Sequence, residues 1–323
     1  MRKVDMNMLT KMGIKRGVNL GGWLSQCDYS DDRLNNFIKE SDIEKIVSWG
    51  LDHVRIPVDY NVVETEEGDY KPEGFERLTR AFAWCKKYGL KVVLDLHKTK
   101  GYSFDKAHMQ TGFFEDEALQ ERFMRLWEEF ARLYGCMHED VVFELLNEVT
   151  EEKYSTIWNA LIKKTIERIR KIAPDTVILV GSYWNNSASS VHALEKPYDG
   201  KVVYNFHSYD PLQFTHQGAP WVDGMDVNFR QDFEDSGVTV EFFENFFAEA
   251  IAHAKANGTT LYCGEYGVID RAKPEDWVKW YKCINAVFEK HGIARAAWSY
   301  KEMDFGISDA RMDGVREELV KYL

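Results

Sequence analysis

Apolar residues recur along most of the chain at helical spacing, and each such segment is followed by a short, nearly all-apolar run. In 74–97, Phe75, Leu78 and Phe82 share one helical face, and Gly89 separates this helix from an apolar strand. A glycine after the last helical turn can adopt the left-handed conformation that ends a helix. This role is predicted for Gly50, Gly89, Gly135, Gly258 and Gly292. The same helix, stop and strand order is predicted in six ranges: 41–59, 74–97, 119–148, 156–182, 240–267 and 275–300.

Helices that alternate with buried strands indicate parallel strands joined by helical crossovers. Two further strand-like runs, "RGVNL" at 16–20 and "VVYNFH" at 202–207, raise the number of strands to eight. Eight units in a chain of 323 residues predict an α/β protein, a single (β/α)8 TIM barrel, with one catalytic domain spanning 1–323. The alternative is a doubly wound open sheet, which normally has a glycine-rich nucleotide turn after an early strand; the sequence has none.

Net charge, cysteine spacing and the N-terminal segment indicate which binding partners and which cellular compartment to expect. The net charge is −12, and a negative surface repels nucleic acid and anionic membranes, so neither is an expected partner. Five scattered cysteines form no metal-binding or CxxC spacing, which favours reduced thiols. The N-terminal segment 1–23 has no apolar run typical of a signal peptide. We therefore expect a cytoplasmic monomer, with secretion by another route as the alternative.

Polar side chains stand where most of the predicted strands end. In a barrel, the carboxyl ends of the strands meet at one rim, and this rim carries the active site. Burying so many polar groups without a function is costly. The residues at these ends are Asn19, Arg55, Asp59, Asp95, His97, Asn147, Glu148, Ser182, Trp184, Asn185, His207, Tyr209, Glu265, Tyr266, Trp298 and Tyr300.

Two of these strand ends carry a glutamate, Glu148 and Glu265, and paired carboxylates suit glycoside hydrolysis. One carboxyl group protonates the leaving oxygen, while the other attacks the sugar or activates water. A separation of about 5–5.5 Å would predict direct attack and retention of the anomeric configuration.

The chain resembles glycoside hydrolase family 5, the cellulase family of clan A, and within it the compact single-domain β-glucanases without signal peptides. The resemblance runs from "RGVNLGGW" to "WSYKEMDF". It is carried by "NE" after strand 4 and a glutamate in strand 7, together with "HVRIP", "DLH", "YNFHSY" and a late tryptophan.

The resemblance implies a role for each matching residue. Glu148 corresponds to the acid/base and Glu265 to the nucleophile. Arg55 corresponds to the arginine beside the nucleophile, and Tyr209 to the tyrosine that donates a hydrogen bond to it. The two carboxyl groups must differ in protonation before the first step, so we expect a raised pKa for Glu148.

The remaining matches concern the substrate. His207 corresponds to the histidine near the acid/base, and Asn147 to the amide that holds the sugar 2-hydroxyl. His97 corresponds to a ligand of the reacting sugar, and Trp298 to the aromatic floor beneath it. No cofactor and no metal ion are implied.

Aromatic residues elsewhere at the rim are candidates for outer subsites, because sugar rings pack their C–H faces on aromatic side chains. The segment after strand 6 is long and aromatic, and long loops at this rim are usually functional. Phe214 and Trp221 are candidates for the leaving-group side. Trp23, Trp184 and Asn185 are candidates for other subsites.

The sequence thus predicts a retaining endo-β-glucanase acting on β-1,4 and mixed β-1,3/1,4 glucan. On the same scaffold, an exo-acting β-glucosidase or exoglucanase and a β-mannanase remain open, because loop shape decides bond choice. A metal-dependent barrel hydrolase using His97, His207 and the acids is a further alternative, although the sequence lacks the HxH pair on an early strand. A non-catalytic sugar-binding barrel would not require both glutamates.

Overall fold

The barrel predicted from the sequence is present. In the computed structural model, which describes residues 8–105 and 109–323, eight parallel strands close into a ring in chain order, with β8 paired to β1. The strands are β1 (Arg16–Asn19), β2 (His53–Asp59), β3 (Lys91–Lys98), β4 (Val141–Glu144), β5 (Ile178–Val180), β6 (Val202–Ser208), β7 (Leu261–Tyr266) and β8 (Ala294–Ala297). Residues 1–7 of the segment examined for a signal peptide lie outside the described residues.

The helices lie outside the strands, and all six predicted helix-and-strand units are found. The α-helices are α1 (Met8–Lys11), α2 (Asp31–Asn36), α3 (Glu40–Ser48), α4 (Tyr60–Val63), α5 (Pro72–Tyr88), α6 (Glu117–Tyr134), α7 (Ser155–Ile172), α8 (Leu212–Thr215), α9 (Val240–Ala256), α10 (Pro274–His291) and α11 (Arg316–Leu319). Short 3-10 turns occupy Gly135–Met137, Glu152–Tyr154, Ala188–Ala193, Phe233–Asp235, Ala310–Met312 and Val320–Tyr322. Across the described ranges, none of these helices is both long and apolar enough to cross a bilayer.

Most of the helices predicted to end at a left-handed glycine do so, but α6 does not. Gly89 and Gly292 adopt the left-handed conformation after α5 and α10, as predicted. Gly135 does not, because its φ is −62° and the chain continues into a 3-10 turn. A Cβ at position 135 would lie 2.4 Å from the Cβ of Ala173. Glycine is needed here because the ends of α6 and α7 approach closely.

The connection from β5 to β6 is made differently from the others. Its residues, 181–201, contain no long helix, and a tight turn at Tyr183–Asn186 leads into the 3-10 turn Ala188–Ala193. Inside this turn Trp184 and Asn185 have left-handed backbone angles, with φ of 49° and 54°. Asparagine tolerates this conformation better than most residues. The turn lies at the rim, just beyond the end of β4, because the backbone N–H of Asn185 donates to the backbone carbonyl of Val149.

The barrel interior changes from apolar to polar along its axis. At the bottom, Val93, Val142, Leu179 and Val203 pack together, and Leu9 of α1 packs on this cluster. Side chains point inwards at every second strand position. One step nearer the rim, the inward positions carry polar residues, and these form the base of the candidate site.

Candidate active site

A layer of polar side chains fills the barrel just below the rim, and none of its members has exposed surface. Each comes from a different strand, so the barrel fixes their relative positions. This buried polar layer consists of Asn19, Arg55, Asp95, Glu144 and Asn205.

Arg55 is the centre of the buried polar layer. Its Nε and one terminal nitrogen donate to the two oxygens of Glu144, at 2.7 and 2.8 Å. It also pairs with Asp95 at 2.9 Å and with Glu265 at 2.7 Å. A planar guanidinium can serve several carboxylates at once because its five N–H groups lie in a fixed fork. Arg55 is thereby held with one terminal nitrogen directed at Glu265.

Three carboxyl groups around one guanidinium leave an excess of negative charge. Burial raises the pKa of Asp95 well above its usual range, and Arg55 opposes this shift. Burial also raises the pKa of Glu144, again against the effect of Arg55. The layer is therefore stable only while the arginine is present, since its carboxyl groups are buried away from solvent.

Replacing Arg55 with methionine is expected to destabilise the fold by about 3–5 kcal/mol, because buried carboxylates then lose their counter-ion. The free energy of unfolding in urea measures this. Arg132→Met is the control, since Arg132 forms an exposed pair with Glu129 and such pairs contribute little. Equal urea midpoints for the two variants would contradict a structural role for Arg55.

Glu148 and Glu265 face each other above this layer, with His207 between them. Nδ1 of His207 lies 2.8 Å from Oε1 of Glu148 and 3.7 Å from Oε2 of Glu265. One oxygen of each glutamate and a nitrogen of His207 all lie within 4.8 Å of one another. The hydroxyl of Tyr209 donates to Oε2 of Glu265 at 2.8 Å, and Arg55 donates to its Oε1. Glu265 thus accepts two hydrogen bonds that stabilise a negative charge.

The two glutamates differ in their surroundings. Burial raises the pKa of Glu148 to about 7, although the Asn185 side-chain amide and Arg55 act in the opposite direction. The direction agrees with the expectation from the sequence. Burial lowers the pKa of His207 to about 4, so the imidazole between the glutamates is neutral near pH 7.

Three other predicted residues border the same space. Asn147 accepts a hydrogen bond from Arg55 at 2.7 Å, while its buried Nδ2 has no partner in the described parts of the chain. Nδ1 of His97 lies 2.6 Å from Asp95. The rings of His97 and Trp298 are parallel, with centroids 5.8 Å apart. The structure therefore brings Arg55, His97, Asn147, Glu148, His207, Tyr209, Glu265 and Trp298 together.

The family model for cellulase, glycosyl hydrolase family 5, matches residues 16–304. The chain belongs to this family. It is a glycoside hydrolase with the family's barrel, and the predicted resemblance is confirmed.

Three named bacterial proteins are similar to this chain over most of its length. Cellodextrinase A of Ruminococcus flavefaciens is 54% identical over 89% of this chain and 86% of its own length. Endoglucanase C of Acetivibrio thermocellus is 36% identical over 97% of this chain and 98% of its own. Cel5A of Thermotoga maritima, solved with a mannotriose substrate, superposes with a TM-score of 0.81 at 25% identity, covering 97% of this chain and 98% of that one.

The outer residues of this family 5 enzyme divide into exposed and buried groups. Trp184 and Trp221 expose 53% and 48% of their surface, so both can contact a ligand. Asn185 is exposed at the rim, and its amide donates to Oε2 of Glu148 at 2.8 Å.

The subsite assignments of Trp23 and Phe214 are wrong. Trp23 is 1% exposed, and its indole N–H donates to the carbonyl of Leu34. Phe214 has no exposed surface and packs edge-on against Phe233. Neither side chain offers a face to a sugar, because both belong to the hydrophobic core.

The family 5 site also contains residues that sequence reasoning missed. Glu144 lies within a strand predicted to be buried on both faces, and an acid at such a position was the available indication. Asn205 donates to Glu144 at 2.7 Å and occupies the inward position two residues before His207. The side chain of Gln26 lies 3.2 Å from Nε2 of His97, and nothing in its local sequence indicates this.

Proposed function

We propose that the chain is a retaining endo-β-glucanase that hydrolyses β-1,4 and mixed β-1,3/1,4 glucan, with Glu265 as nucleophile and Glu148 as acid/base. The observation that supports this most directly is the short distance between the two carboxyl groups, since one oxygen of Glu148 lies within 4.8 Å of one oxygen of Glu265. Direct attack on the sugar needs a separation of about 5–5.5 Å, whereas an inverting enzyme leaves room for water between the groups, at about 6.5–9.5 Å.

In the first step Glu148 gives its proton to the glycosidic oxygen as that oxygen leaves the anomeric carbon. Glu265 attacks the same carbon and forms a glycosyl ester. The pKa of Glu148, raised to about 7, keeps this carboxyl group protonated at pH values below neutral. Arg55 and Tyr209 hold the attacking carboxylate in position through their hydrogen bonds.

In the second step Glu148, now ionised, accepts a proton from water. The water oxygen bonds to the anomeric carbon, and Glu265 leaves as a carboxylate. Two displacements at one carbon return the original β configuration.

The sugar in this site is held by groups that have free hydrogen-bonding capacity. The orphan Nδ2 of Asn147 is a donor for the 2-hydroxyl, where a hydrogen bond strengthens in the transition state. Trp298 supplies an aromatic face beside the pair, and His97 stands next to it. Trp184 and Trp221 contribute exposed aromatic faces further out.

Short β-glucan oligosaccharides are the favoured substrates. The support is the 54% identity to a protein named cellodextrinase. An exo-acting β-glucosidase or exoglucanase, and a β-mannanase, are the alternatives on the same scaffold. The mannanase has specific support, since the Cel5A neighbour was solved with mannotriose as substrate.

The test is to follow reducing sugar and product anomer from cellotetraose, mixed-linkage β-glucan, carboxymethyl cellulose and mannan. We expect β-anomeric products of several lengths from the glucans. An α-anomeric first product would contradict the retaining mechanism. Release of glucose alone would favour exo action, and preference for mannan would replace the substrate assignment.

A metal-dependent hydrolase remains a second candidate, because the oxygens of Glu148 and Glu265 and a nitrogen of His207 are near enough to ligate one ion. Running the same assay after incubation with EDTA separates the two. Full activity in EDTA supports the two-carboxylate mechanism, and loss that zinc or magnesium restores supports the metal mechanism.

We also propose a monomeric, cytoplasmic enzyme with one catalytic domain over 1–323. All five cysteines are free, which fits a reducing compartment. The last residues pack on the barrel, because the carbonyl of Leu323 accepts hydrogen bonds from Arg16 and Arg295. This contact supports one domain.

A further inference from the structure

Both oxygens of Glu148 are engaged, and the two partners differ in kind. Oε1 lies against Nδ1 of His207, a buried residue of strand β6. Oε2 accepts a hydrogen bond from the side-chain amide of Asn185, an exposed residue of a rim turn. An acid that protonates a glycosidic oxygen must present one oxygen to it. Oε2 is the oxygen on the open side, and Asn185 occupies it.

The turn that carries Asn185 is a strained and well-anchored segment. Trp184, Asn185 and Asn186 all have positive φ, at 49°, 54° and 60°. The side-chain oxygen of Asn186 accepts from the backbone of Ser182, and the backbone of Asn185 donates to Val149. Strained backbone persists only where its surroundings determine it, and it concentrates at functional sites. The backbone is thus held while the Asn185 side chain remains at the surface.

We propose that Asn185 is a positioning residue for Glu148. A sugar bound on the leaving-group side displaces the Asn185 amide from Oε2, and Glu148 can then donate its proton to the glycosidic oxygen. An amide N–H bonds a carboxylate oxygen more strongly than a protonated one. In the free enzyme Asn185 therefore favours the ionised form of Glu148. When the sugar takes its place, this preference is removed, and Glu148 keeps its proton until the glycosidic oxygen accepts it.

The same contact serves the second step. Once the leaving group departs, Glu148 is ionised, and Asn185 can return to Oε2. The acid and base forms of one glutamate are thereby matched to the filled and empty states of the leaving-group side. The exposed Trp184, which precedes Asn185 on the turn, is placed to contact the same sugar.

Other groups act on Glu148 but do not distinguish these states in the same way. They lie on the strands and the loop that surround it, and most are buried. The titratable and charged groups are Arg55, Asp95, Tyr102, His207, Tyr209 and Glu265. Asn185 is the exposed rim residue with a hydrogen bond to the carboxyl group of Glu148.

This inference rests on the proposed function, and its test uses Asn185→Gly and Asn185→Asp in the full chain. Glycine adopts positive φ without strain, so it removes the amide while preserving the turn. Aspartate keeps the shape and tolerates this backbone, but it replaces the donor with an acceptor. The pH dependences of kcat/KM and kcat with cellotetraose report the free and the bound enzyme separately.

In the wild type, the alkaline limb of kcat/KM is expected at lower pH than that of kcat. In Asn185→Gly, the limb of kcat/KM moves up by about one pH unit, a usual size for an environmental effect on a carboxyl group, and meets the limb of kcat. Asn185→Asp moves it at least as far. Unmoved limbs in both variants, or equal movement of both limbs, would overturn the proposal, because a merely structural residue changes rates without separating the profiles.

Hydrolysis of 2,4-dinitrophenyl β-cellobioside distinguishes failure of this inference from failure of the function. Its leaving group needs no proton and is not a sugar, so cleavage by the wild type tests the Glu148–Glu265 site without depending on displacement of Asn185 from Glu148. If the wild type fails to cleave it, the proposed function is wrong. If the wild type cleaves it and the limbs with cellotetraose coincide, only the role of Asn185 is wrong.

Discussion

Replacing Glu265 with alanine is expected to lower turnover of every glucan by about 10⁴-fold or more, the scale on which enzymes lose rate when a nucleophile is removed. The reason is chemical, since the glycosyl ester of the first step forms on the Glu265 carboxylate. His207 and Tyr209 would remain beside an empty position. Initial rates with cellotetraose and with dinitrophenyl cellobioside measure the loss.

The loss must be separated from misfolding, because Glu265 is also a partner of Arg55. Glu265→Gln keeps the volume and an acceptor for Arg55, so it should unfold near the wild-type urea concentration and still be inactive. Glu129→Ala, on the outside of α6, is the matched loss of an acid and should remain active. Activity above a few per cent in purified Glu265→Gln would reject Glu265 as nucleophile.

The second large effect concerns Glu148. Replacing it with glutamine is expected to slow cleavage of cellotetraose by about 10²–10⁴-fold, the usual contribution of a general acid. Formation of the glycosyl ester from dinitrophenyl cellobioside should be nearly unaffected, because this leaving group departs without a proton. A burst of dinitrophenolate followed by slow turnover would be the kinetic sign.

The pH dependence provides an independent measure of the same residue. Wild-type activity should fall as pH rises through about 7, since Glu148 then loses the proton that the first step requires. Glu148→Gln should have no such limb in its residual activity. If the burst of dinitrophenolate is slowed as much as the cleavage of cellotetraose in the variant, Glu148 acts through structure and not as the acid.

The barrel and most of its rim could be predicted because their determinants are local. Helix periodicity and stop residues mark each unit, and "NE" after β4 and the glutamate in β7 fall at strand ends, where barrel topology brings them together. The roles proposed for Glu148 and Glu265 therefore rest on two short segments far apart in sequence.

The errors arose where tertiary packing decides the outcome. Trp23 and Phe214 are close to rim residues in sequence, but their side chains pack in the core. Loops have no periodic pattern from which the direction of a side chain could be predicted. Gly135 was predicted to be a left-handed stop, yet its need for glycine comes from Ala173 on another helix. The role of Glu144 was not predicted because its partner, Arg55, lies 89 residues away in the sequence, so no local pattern indicates the pair.

The position of the buried polar layer on the strands determines which parts of such an enzyme can be replaced without altering its reaction. Its members sit on strands, whereas Trp184, Asn185 and Trp221 lie on the connections between them. The reacting pair is thus fixed to the frame of the barrel, and the contacts with more distant sugars are carried by parts that can be exchanged separately. Grafting the β5–β6 or β6–α9 connection from a relative should therefore alter substrate preference while the stereochemical outcome is inherited unchanged.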